Sequence, residues 1–134
     1  MKLWQPPPDE PDRLDWWRPL LEVRRRAQAE RVPSPVHADE FVLRGRVDRG
    51  ARPAVWIYEH RHSGREMLAD GRGRTYEFVP YRSGQVGRFN EIGVWRALLR
   101  ARVPTLAGLM ALPSPASVVR RRHLSLVPAP PNLN

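Results

Sequence analysis

His60 and His62 stand two residues apart behind Glu59, and on an extended strand that spacing turns both imidazoles to one face. Two imidazoles so placed can share a metal ion, with Glu59 or Asp70 offering an oxygen ligand. No further ligand stands at a recognisable spacing and the chain has no cysteine, so neither a metal nor a cofactor is expected. The same residues hold the parts of a ribonuclease: a carboxylate base, an imidazole acid and arginines to clamp phosphate while the 2′-hydroxyl attacks. The ordinary role of a strand glutamate among arginines is a cross-strand ion pair, which does no chemistry. Gly71-Arg72-Gly73 lies in a hairpin turn and opens no helix, so it is not a phosphate-binding loop.

A second constellation could bind rather than catalyse. On the strand through Val55-Trp56-Ile57-Tyr58, Trp56, Tyr58 and His60 point one way while Val55, Ile57 and Glu59 point the other. If the aliphatic row faces the core, Trp56 and Tyr58 stand outside it, beside Arg44 and Arg46 of the neighbouring strand. Aromatics flanked by arginines form a platform on which unpaired bases stack and phosphates bind. Burial competes with this role, because a small sheet covered on both faces hides both rows. Arg72 and Arg74 in a hairpin turn, and Arg120-Arg121-Arg122-His123 near the C-terminus, are further candidates for phosphate contact.

The elements that would position these groups form an α+β pattern. A proline-rich arm, residues 1–12, precedes a single domain over 13–112 and a basic, proline-rich tail over 113–134. Leu20, Leu21, Val23 and Ala27 mark an N-terminal helix, either kinked at Pro19 or preceded by a short turn at Leu14–Trp17. From Phe41 the period changes to two, with Phe41, Leu43, Gly45 and Val47 in one row. Turns at Asp48–Pro53, Arg61–Gly64 and Asp70–Gly73 then divide residues 41–81 into a four-stranded antiparallel meander. Asn90 is a plausible cap for a second helix with Ile92, Trp95, Leu98 and Leu99 on one face. A short apolar helix over Thr105–Leu112 and an edge strand near Val118 and Leu124 could follow.

Two resemblances rest on the order of elements alone. Helix, meander and helix in a small basic chain is loosely similar to bacterial toxin ribonucleases of toxin–antitoxin pairs, which implies RNA cleavage involving Glu59, His60 and His62. Three strands and a helix, Val55 to Arg102, resemble the arm-type DNA-binding domains of tyrosine integrases, which implies base or phosphate contacts from Arg61, Arg65, Arg72 and Arg74.

Charge points the same way. The net charge is +9, and it divides into −1 over residues 1–40, +4 over 41–82 and +6 over 83–134. Such asymmetry fits a polyanionic partner, although 22 of the 23 basic residues are arginine, as a GC-rich genome would also produce. The start of the chain carries no apolar signal run, and Val103–Leu112 is about half the length that crosses a bilayer. The expectation is therefore a soluble, cytoplasmic, non-enzymatic protein that contacts DNA or RNA through the sheet face and the tail. The alternative is a structural or adaptor protein of a multi-subunit assembly, viral or from a mobile element, that docks on a protein partner through residues 1–17 and 113–134. A small ribonuclease is the third possibility.

Overall fold

Val55-Trp56-Ile57-Tyr58 lies inside a six-stranded antiparallel sheet, where its branched and aromatic side chains fill both faces. The computed structural model describes residues 2–81 and 87–103. Its elements are β1 (Lys2–Trp4), α1 (Leu14–Ala29), β2 (Phe41–Arg49), β3 (Arg52–His60), β4 (Glu66–Ala69), β5 (Thr75–Val79), β6 (Arg88–Ile92) and α2 (Val94–Arg102). The strands neighbour one another in chain order, β1 to β6. The α+β class and the meander are as the sequence predicts, but the strands number six and not four.

The two extra strands are the outer ones. β1 falls in the arm expected to be irregular, yet Leu3 pairs with Val47 and Trp4 with Arg46, so each side chain has a face to pack on. Prolines follow from Pro6 and end the pairing, since proline has no N–H to give a ladder. β6 takes the stretch in which Asn90 was expected to cap a helix. Phe89 is opposite Phe78, with ring centroids 5.2 Å apart, and Asn90 is opposite Glu77. The helix starts later, with Gly93 as its N-cap residue, and its phase changes accordingly. Val94, Ala97, Leu98 and Ala101 are buried, whereas Trp95 and Leu99 are exposed.

Both faces of the sheet carry a core. On one, Leu43, Tyr58, Met67 and Ala69 pack under α1 and α2 with Trp16, Leu20, Val23 and Leu98. On the other, Val47, Val55, Ile57, Leu68 and Tyr76 cluster with Leu3, Phe78 and Phe89. In a flat sheet β2 and β6 would stand about 19 Å apart, four strand spacings. The Arg49 guanidinium of β2 nevertheless lies 5.6 Å from the Phe89 ring of β6. The sheet therefore curls around its second core.

A register shift between Leu43 and Gly45 splits the row that the alternation suggests. Phe41 and Leu43 share the helix-covered side with His60 and Tyr58, while Val47 joins Val55 on the other. Glycine is needed at this shift, because a Cβ on Gly45 would lie 2.8 Å from the Trp4 carbonyl oxygen.

α1 runs unbroken through Pro19. At that point the Tyr58 hydroxyl meets the helix backbone, donating to the Trp16 carbonyl at 2.6 Å. The β4–β5 turn backs onto the same helix, where Gly73 (φ +81°) sits so close that a Cβ would lie 2.6 Å from the Glu22 carbonyl carbon. Among the described residues no helix is long and apolar enough to cross a membrane. The helix expected over Thr105–Leu112, the edge strand and the tail lie outside the described residues.

Candidate nucleic-acid interface

The aromatic platform is not assembled. Tyr58 is fully buried, its ring 5.8 Å from that of Trp17, and burial holds its phenol far above the ordinary value. Trp56 is half-buried against Trp4, edge to face at 6.0 Å, and Trp4 in turn packs on Trp16 at 5.5 Å. The Arg46 guanidinium lies over both indoles, 4.8 Å from Trp4 and 5.2 Å from Trp56, and is bound to Asp48 at 2.9 and 3.3 Å. Arg44 is held by Glu59 at 2.7 and 3.2 Å, and Glu59 belongs to the opposite face of β3. The four residues thus occupy two faces, and each arginine already has a carboxylate. The physical cause is the N-terminal segment: β1 and α1 bring Trp4, Trp16 and Trp17 over the row that would otherwise be wet.

The ribonuclease parts are likewise kept apart. Glu59 and His60 alternate to opposite faces, and His60 is buried under the helices while His62 is exposed. His60 Nδ1 accepts the backbone N–H groups of His62 and Ser63, both at 3.3 Å, which leaves the ring proton on Nε2, 3.4 Å from Glu40. Glu40 receives Arg102 Nε and Nη2 at 3.0 Å each and the His37 backbone N–H at 2.9 Å. Burial pushes this carboxyl up, but the Arg102 and His37 hydrogen bonds and the Arg102 charge outweigh it and hold the carboxyl below its ordinary value. Ser63 closes the network by donating to the Ala101 carbonyl. What the arrangement does is tie the C-terminal end of α2 to the β3–β4 turn. Among the described residues no three histidines or carboxylates are grouped to hold a metal.

The meander itself creates a different site. In a run of antiparallel strands alternate turns share an end, so the β2–β3 and β4–β5 turns project together. That end carries Arg49, Arg52, Arg72 and Arg74. Asp48 holds Arg46, and Glu22 lies 3.6 Å from Arg25. Asp70 is fully buried, accepting the Arg72 and Arg74 backbone N–H groups at 2.9 and 3.0 Å and the Tyr76 hydroxyl at 2.7 Å, while Glu91, opposite Tyr76, is exposed. Burial, reinforced by the hydrogen bond and charge of Asp70, raises the Tyr76 phenol. Arg49 stacks over Tyr76 and donates to the Pro53 carbonyl at 2.8 Å. Among the described residues the side chains of Arg52, Arg72 and Arg74 have no carboxylate partner. α1 adds Arg26, whose Nε donates to the Arg72 carbonyl at 3.0 Å and fixes the turn to the helix.

The opposite end has another character. Arg61, Arg65 and Arg88 are there mixed with Asp39, Glu40, Glu59 and Glu66. The two ends of the sheet therefore differ in charge.

Of the residues that the sequence nominates, the structure brings Arg72 and Arg74 together, separates Arg44 from Arg46, and buries Tyr58. Arg120, Arg121 and Arg122 lie outside the described residues. Arg52 and Arg26 were missed, although the parity of the turns would have placed Arg52 beside Arg72. Comparison with protein-family models, with curated proteins and with solved structures finds no match to this chain.

Proposed function

We propose that this protein is a non-enzymatic accessory protein that contacts nucleic acid through the arginine-bearing end of its sheet. Arg52, Arg72 and Arg74 bind phosphates, Arg26 adds its charge from α1, and Arg120-Arg121-Arg122 extend the contact from the tail. The observation that carries this reading is that Arg52, Arg72 and Arg74 stand at adjoining turns and have no carboxylate partner among the described residues. Arginines without partners at one pole repel one another, and a polyanion relieves that repulsion while releasing counterions. Arg44 and Arg46, being paired, contribute only to the field. Fluorescence anisotropy with a labelled 12-nucleotide oligomer at about 50 mM salt provides the test. Micromolar or tighter binding is expected, with a loss of at least about ten-fold on Arg72→Glu/Arg74→Glu. Absence of binding at that salt overturns the proposal.

The adaptor alternative is favoured by a separate observation. Trp95 and Leu99, at i and i+4 on α2, and Val103 just past its end are exposed apolar residues, at 49, 56 and 43%. That reading expects self-association or a co-purifying protein, together with indifference to nucleic acid. Trp4 and Trp16, within the 1–17 segment read as a docking arm, pack on the protein's own core.

A further inference from the structure

Resting on the nucleic-acid reading, we infer that the ligand is single-stranded and that Trp95 stacks an unpaired base of it. The stacking role that the alternation gives to Trp56 and Tyr58 falls to a residue of α2. The register fixes where that residue lies. Ile92 pairs with Thr75, whose hydroxyl donates to the Ile92 carbonyl at 2.8 Å, and Arg74 directly precedes Thr75. Gly93 then starts α2, so the first turn of that helix begins at the arginine-bearing end of the sheet. Trp95 and Arg74 are separated by one strand pair and a few residues, at most about 20 Å of backbone. A strand of about four nucleotides spans such a distance.

The chemistry of the position agrees. Half of the Trp95 surface is in water, whereas Trp16 at the other helix is buried and Trp4 and Trp56 are partly covered. On α2, Arg96 and Arg100 are drawn towards Glu77 on the other flank, at 3.7 and 2.8 Å, so neither cation is engaged with the Trp95 ring. A flat apolar ring within that reach of Arg74, which has no carboxylate partner among the described residues, suits the alternation of base and phosphate along a strand. A duplex, whose bases are already stacked, offers that ring nothing.

The full chain is titrated with labelled dT12, with an abasic 12-mer of the same phosphate number, and with a 12-base-pair duplex. dT12 is expected to bind at least about five-fold more tightly than the abasic oligomer. Trp95→Ala should abolish that ratio, and Trp95→Phe should keep most of it, without changing affinity for the abasic oligomer. Equal binding of dT12 and the abasic strand, or tighter binding of the duplex, overturns the inference and leaves the phosphate-binding reading standing. Failure of all three ligands to bind overturns both. Because Trp95 is exposed, its variants are expected to fold, and their circular dichroism should match the wild type.

Discussion

Tyr58 and Trp95 are both large aromatics with one polar atom, and their surroundings give them opposite tasks. The Tyr58 hydroxyl donates to the Trp16 carbonyl of α1 near Pro19, where the helix ladder is already short of a donor. Tyr58→Phe removes that buried hydrogen bond and is expected to lower stability by about 1–3 kcal/mol in urea denaturation. The phenol gives a pH signature as well. Burial raises it above the ordinary 10.0, so its stabilisation is complete below pH 10 and is lost as the pH rises beyond that value. The urea midpoint should fall between pH 10 and 11, and less steeply in Tyr58→Phe. Glu40 shows the opposite sign. Its carboxyl is held below 4.5, so its contribution is present above that pH and is lost as acid protonates it. Glu40→Gln should flatten the fall in thermal stability below pH 4.5. At this scale the sequence was legible for residue type and orientation along β3. It did not show which face was covered, because that depends on Trp4 and Trp16 arriving from elsewhere in the chain.

Elements were readable where local signals were strong. Val55–Tyr58, the Asp70-Gly71 turn and the apolar spacing of α1 each rest on neighbours in sequence, and each is found in place except Leu21, which the helix turns to solvent. The outer strands were hidden because their signal is long-range: three residues at Lys2–Trp4 are a strand only because Val47 waits opposite Leu3. The register shift at Arg44 was hidden too, since Gly45 reads as a weak member of an apolar row until the Trp4 carbonyl is seen against it. The β4–β5 turn is the element on which the proposed site depends, and Gly73 is its hinge to α1. Gly73→Ala meets both a left-handed backbone and the Glu22 carbonyl group, and should cost about 1–3 kcal/mol. Gly71→Ala, where a Cβ has open space, is the matched control and should cost much less. Urea midpoints of the two variants check this directly. Loss of nucleic-acid affinity in Gly73→Ala at a temperature where it is still folded would show that the turn must be docked on α1 to bind.

The whole molecule is polar in its charge. One end of the curled sheet shows arginines that have no carboxylate partner among the described residues, while the other mixes both signs. Composition gave the net charge and its drift along the chain, but the sorting of arginines to one end comes from the parity of the turns in the meander. The account's central claim is that this end binds phosphates. The most direct measurement is the slope of log affinity against log salt for a single-stranded 12-mer, compared between Arg72→Ala/Arg74→Ala and Arg61→Ala/Arg88→Ala, which removes the same charge from the opposite end. The slope should shrink by about 1.4 in the first variant, two contacts at about 0.7 each, and hardly change in the second. Equal changes in the two variants would show that net charge alone attracts the strand and would contradict the claim.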